Sequence, residues 1–196
     1  MTTRFIDRAI RSSVDRAQKM QPRRVRRVAE ETLYSAPAQR SLVEDLRSAG
    51  EYLISAGLGT RAGSVVAVRR SDRSVAVTRT DTDLTAVDGR SIETAPVAPD
   101  GDPVARTAAL VGAAVWAHPP ALLALAARGG SVDASTSRGL AGRCGPIVSG
   151  DDLREPGVGV VAGEGVLAAG SSAVDAVARL EAAERLATIT LRIPDM

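Results

Sequence analysis

The sequence predicts an α/β domain in which helices cover the faces of a mixed sheet. Short apolar runs of strand length, at 65–69, 75–78, 113–117, 157–162 and 166–169, are interleaved with segments whose apolar residues recur at helical spacing. That interleaving lacks a strict strand–helix–strand rhythm, which favours a mixed sheet over a purely parallel one. The 196-residue chain is also long enough for one domain with a real core and an appended arm.

The arm comes first. Residues 1–28 carry nine basic side chains, from Arg4 to Arg27, against only Asp7 and Asp15. The rest of the chain is therefore net acidic, although the whole is close to balanced at +2. Phe5, Ile6, Ala9, Ile10, Val14 and Ala17 fall at helical spacing until Pro22 breaks the pattern. A second helical stretch, 23–34, ends near Pro37. We divide the chain into a basic helical arm, 1–40, and a domain, 41–196. A basic amphipathic segment can meet an acidic surface or dock on a partner protein; the plainer reading is a solvated or self-packed helix.

In the domain, Ser41 and Glu44 have capping-box spacing. Leu42, Leu46, Ala49, Leu53 and Ile54 form the stripe of a helix that Gly57 can stop. The strands 65–69 and 75–78 alternate about a polar turn, as in a hairpin. Residues 81–103 are rich in Asp, Pro and Gly and read as loop, with one short strand near Ser91. A helix at 104–112 runs into the buried strand 113–117. A further helix, 121–128, opens after Pro119 and closes at Gly129 and Gly130. After the strands 157–162 and 166–169 comes a helix from Ser172, with Val174, Val177, Leu180, Ala183 and Leu186 on one face.

Composition removes several function classes. With His118 and Cys144 each the only one of its kind, one chain cannot build a three-histidine zinc site, a disulfide framework or a Cys-x-x-Cys pair. Only a site shared between subunits escapes this. Lys19 is the only lysine and lies in the arm, which argues against a Walker loop and Schiff-base chemistry. Aromatic residues make 2% of the chain, too few for base-stacking platforms, so nucleic-acid binding is not expected. No apolar run reaches the ~18 residues of a membrane span, and no secretory signal is evident; a cytoplasmic protein is expected.

Three places could carry chemistry. His118, in Trp116-Ala117-His118-Pro119-Pro120, sits where a buried strand meets a helix start. It could be a metal ligand, a general base or an anion contact, or simply a locally hydrogen-bonded histidine. Glu164, between Gly163 and Gly165, is an acid/base or ligand candidate, or the solvent-facing tip of a hairpin. Cys144 has no base near it in sequence and reads as a bland thiol. The glycines 157, 159 and 163 have the wrong spacing for a dinucleotide fingerprint and lie on a strand.

In order and spacing, the pieces of residues 41–191 resemble the class II aldolase/adducin family. "GSVVAVR" (63–69) resembles that family's glycine-rich turn and following strand. "VAVT" (75–78) resembles a strand that ends in Thr-Pro-x-Gly, and "AAVWAHP" (113–119) one that ends in His-x-His-Pro. "VVAGEGVLAAG" (160–170) resembles the Asn/His-His-Gly strand with its successor, and 173–191 the closing helix. The resemblance implies a three-layer αβα fold with a mixed, largely antiparallel sheet. It also implies a homo-oligomer, and in active members three histidines on a divalent metal, usually zinc, which polarises a carbonyl substrate.

Carried over by position, the first histidine falls on Trp116, the second on His118 and the third on Glu164. The asparagine of the glycine-rich turn falls on Ser64 or Val65. The Pro-x-Gly of the phosphate-side turn is Arg79-Thr80-Asp81, and the segment that carries the acid/base glutamate has no match beyond the neighbours Asp100 and Asp102. The resemblance thus points to His118 and Glu164 as catalytic candidates. Trp116, Gly63, Ser64, Arg79 and Gly163 become pocket residues, and no conventional metal set remains, with zinc held only by a His118/Glu164 remnant as the alternative. The expected function is a catalytically degenerate member that works by binding or assembly, as adducin does with this fold. The alternative is an aldehyde-lyase or epimerase acting on a small sugar phosphate or carbonyl compound.

Overall fold

A computed structural model describes residues 37–71, 73–98, 101–132 and 137–192. The arm reading for residues 1–36 lies outside them. Seven strands form one sheet: β1 (Val65–Ser71), β2 (Ser74–Thr78), β3 (Ile92–Pro96), β4 (Ala113–Ala117), β5 (Ile147–Ser149), β6 (Gly157–Val161) and β7 (Gly165–Gly170). The order is β3-β2-β1-β4-β7-β6-β5, and every neighbouring pair is antiparallel except β5 and β6. Among the described residues five α-helices accompany it: α1 (Pro37–Ser55), α2 (Pro103–Val111), α3 (Pro120–Ala127), α4 (Arg138–Cys144) and α5 (Ala173–Arg192). This is the mixed, largely antiparallel sheet between helical layers that the sequence leads one to expect.

The central strands are apolar on both faces, as a sheet covered on both sides requires. On one face Val65, Ala67, Val75, Ala114, Leu167 and Ala169 pack against Val104, Ala105 and Ala108 of α2, with Leu153 from the β5–β6 loop. Val66, Val115, Val166 and Ala168, fully buried, alternate onto the other face, where α5 lies. The small residues of the ladder let the helices sit close. A Cβ on Gly170 would stand 2.6 Å from the Ala176 backbone nitrogen, so this glycine sets how near α5 approaches.

Several elements differ from the sequence reading. The first helix is already formed at Pro37 and runs through the 40/41 division, so Ser41 lies inside it and is not its cap. A proline is well tolerated in a first turn because its missing N–H has no helical partner there. The buried stripe of α5 runs through Ala173, Ala176, Val177, Leu180, Ala183, Leu186 and Ala187, while Val174 is 43% exposed. A strict three-residue step drifts off a 3.6-residue helix, and alanines carry the inner face instead. The short strand expected near Ser91 is present as β3, but the 81–103 segment also holds a short 3-10 helix, Leu84–Ala86, capped by the Asp83 carboxylate, which accepts from Thr85 N–H at 3.0 Å. No element was expected over 138–149, where α4 and β5 stand.

Candidate functional site at one end of the sheet

Strand register decides which residues meet. Val65 pairs with Trp116, and Ala117 pairs with Val166. Ser64 precedes β1, Arg79 follows β2, His118 follows β4 and Glu164 precedes β7. All of the singled-out residues therefore lie at the same end of four adjacent strands, β2-β1-β4-β7. Positions distant in sequence converge because antiparallel neighbours bring alternate strand ends together.

The β4 side of this end is dominated by Trp116. Its indole is partly buried and packs against the α2-face core. The ring lies on Gly165 of the neighbouring strand; an ideal Cβ there would stand 2.5 Å from Cζ2 and 2.6 Å from Cε2. His118, two residues on, meets the indole edge-on, with ring centroids 6.4 Å apart. Glycine at 165 is thus required by close approach, not by a special φ.

His118 and Glu164 are both exposed. Residues 162–164 make the three-residue loop between β6 and β7, with Gly163 at φ +79° and the Glu164 N–H donating to Val161 O at 3.0 Å. Among the described residues, the Glu164 carboxylate makes no hydrogen bond or ion pair. No group of three or more His, Cys, Asp or Glu among the described residues is placed to hold a metal ion. Trp116 offers no ligand atom, and His118 with Glu164 falls short of the three protein ligands a catalytic zinc takes. Among the described residues this donor set does not supply three ligands from one chain.

The β1–β2 side holds the two turns. Ser64 is fully buried, and its hydroxyl accepts from Thr60 N–H at 3.3 Å. Gly63, at φ +91°, donates its N–H to Thr80 O at 2.8 Å, and Leu84 N–H reaches Arg61 O at 3.0 Å. The glycine-rich turn and the 79–81 turn are therefore bonded directly to each other. Arg79 is exposed, 3.2 Å from Asp81 and 3.7 Å from Glu93, and lines a recess of about 340 Å³ with Arg90 and Ser91. Within that recess Asp83 is held below the usual carboxylate range by the Thr85 hydroxyl and N–H.

Cys144 is buried away from this end, at the close of α4. Burial pushes its thiol up from the ordinary 9.0, which disfavours the nucleophilic thiolate. The role of Gly165 as a seat for the indole was not evident in the sequence. A glycine facing a tryptophan across a strand pair was the available signal, but using it needs the β4–β7 register.

No family model matches the sequence, and no curated protein matches it. Solved structures do. L-fuculose-1-phosphate aldolase of Thermus thermophilus superposes with a TM-score of 0.58 at 18% identity, over 76% of this chain and 92% of that one. YgbL of Escherichia coli gives 0.64 at 19% identity, over 79% and 90%. The sugar-phosphate aldolase of Thermotoga maritima gives 0.59 at 15%, over 79% and 95%. The chain has the class II aldolase fold.

Proposed function

We propose that this chain uses the class II aldolase fold for binding and assembly and has given up the three-histidine zinc chemistry associated with it. The observation that carries this reading is Trp116. By the carry-over above, it stands where the first of three histidines would be, and its indole is seated on Gly165 and packed into the core. Glu164 takes the third position on an exposed loop, so His118 keeps only one carboxylate for company. The structures it resembles include sugar-phosphate aldolases, which supply the chemistry the reading is measured against. Assembly as a homo-oligomer belongs to the same proposal. Leu110 on α2, 56% exposed, and Val97 after β3, 37% exposed, are apolar side chains available to such an interface. We propose as well that the basic arm docks a protein partner and that the chain resides in the cytoplasm. Among the described residues no helix is long and apolar enough to cross a membrane.

Restoring the ligands tests this. Trp116→His with Glu164→His should create zinc binding, at one ion per chain, that the native chain lacks in a competition with a chromogenic chelator. Equal uptake by the native chain would refute the reading.

One observation favours a second reading. His118 and Glu164 are exposed at the same end of the β4–β7 ladder, where an acid/base pair without metal would have to stand. In that case His118→Ala and Glu164→Gln would each abolish turnover of a small carbonyl or sugar-phosphate substrate. On the preferred reading, neither changes self-association or partner binding.

A further inference from the structure

On the α5 face, α1, α4 and α5 enclose a cleft of about 250 Å³ lined by Tyr52, Leu140, Arg143, Arg179, Glu181 and Arg185, with Asp175 at one end. Three guanidiniums there face two carboxylates, in a domain that is otherwise net acidic. Both carboxylates are already engaged. Glu181 accepts from the Tyr52 hydroxyl and from Arg185. The Asp175 Oδ2 accepts from the Ser171 N–H at 2.8 Å and its hydroxyl at 3.1 Å. Arg179 and Arg185 each pair with one of these carboxylates, which leaves the cleft one guanidinium in excess. Arg143 makes no ion pair among the described residues. Arg179 reaches the Arg143 carbonyl only at 3.4 Å. Its Nε is buried, 3.2 Å from Asp175 Oδ1, in an alignment that leaves the N–H without a hydrogen bond. A buried N–H so poorly aligned with its carboxylate is costly, and a ligand oxygen in line with it would satisfy it better.

We infer that this cleft binds the phosphoryl group of a small soluble phosphorylated compound, with Arg143, Arg179 and Arg185 as its donors. A phosphate dianion brings several acceptor oxygens and neutralises the excess positive charge, and guanidinium forks match its geometry. The Tyr52 proton stays on the phenol: donation to Glu181, with burial, pushes the group above its ordinary 10.0. Tyr52 therefore presents a neutral wall to the rest of the ligand. The cleft is separate from the Trp116 end of the sheet, so the inference stands whether or not that end is catalytic.

The test is a titration of the full chain with inorganic phosphate and with glycerol 3-phosphate, at constant ionic strength against chloride, read by thermal unfolding and by NMR of the arginine Nε–H signals. Both probes should raise Tm saturably, by about 3 °C at ten times Kd. They should also shift the buried Arg179 Nε–H resonance. The exposed Arg143→Gln and Arg185→Gln variants keep the core and should each weaken binding by about ten-fold. Three results would overturn the inference: no Tm rise beyond the chloride control, affinity unchanged in both variants, or acetate binding as well as phosphate does.

Discussion

Gly165 and Trp116 occupy one volume between them. A Cβ at 165 would collide with the six-membered ring of the indole, and because that ring also packs on the α2-face core it cannot swing away without opening a void. Gly165→Ala should cost about 2 kcal/mol by overpacking. Trp116→Ala should destabilise as well, yet Gly165→Ala made in that background should be nearly silent. A double-mutant cycle by urea denaturation reads this coupling; additive losses would show that the two residues do not share the space.

Asp175 offers a second residue-scale outcome. Burial alone would raise its carboxyl, but the Ser171 N–H and hydroxyl, together with Arg179, outweigh this and hold it below the ordinary 3.8. A carboxyl lowered in the folded state contributes stability above its unfolded pKa and loses that contribution as pH falls through the folded value. Stability should therefore fall from about pH 4 downward. Asp175→Asn should lower Tm at pH 7 and flatten that acid decline. Parallel Tm–pH curves for the two proteins would exclude the role.

At the scale of elements, α3 depends on a distant side chain. It starts after Pro119 with no side-chain cap of its own. Glu184 of α5 fills that need, accepting from the Ala121 N–H at 2.7 Å and the Leu122 N–H at 2.8 Å. A carboxylate there satisfies two unpaired donors and faces the positive end of the helix dipole. Glu184→Ala should cost about 1–2 kcal/mol, with faster amide exchange confined first to the opening turn of α3; uniform loss of protection would place the role elsewhere.

The same scale explains what could be read in the chain. Strands β1, β2, β4, β6 and β7 are visible as apolar runs because each is buried on both faces or alternates. Helix α4 (RGLAGRC) is short and polar and strand β5 has only three residues, so neither imposes a period, and contacts with α5 and β6 hold them. The Glu184 cap spans more than sixty residues and leaves no local trace.

For the whole molecule, what mattered was convergence. Spacing and resemblance singled out Gly63, Ser64, Arg79, Trp116, His118, Gly163 and Glu164. The register then places all of them at one end of β2-β1-β4-β7. That gathering was legible because it follows from strand order. The state of the gathered residues was not: Ser64 is buried in its own turn, Arg79 is paired with two carboxylates, and the indole stands edge-on to His118. These depend on side-chain packing, which a linear pattern does not carry. The fold is shared with sugar-phosphate aldolases, and the account rests on the claim that this chain does not hold the three-histidine metal centre that the resemblance implies.

Elemental analysis of the full chain, purified without chelator and after incubation with zinc and gel filtration, tests that claim most directly. The account predicts well below one zinc per chain in both samples, with the level unchanged by His118→Ala. One zinc per chain, lost on His118→Ala, would contradict it.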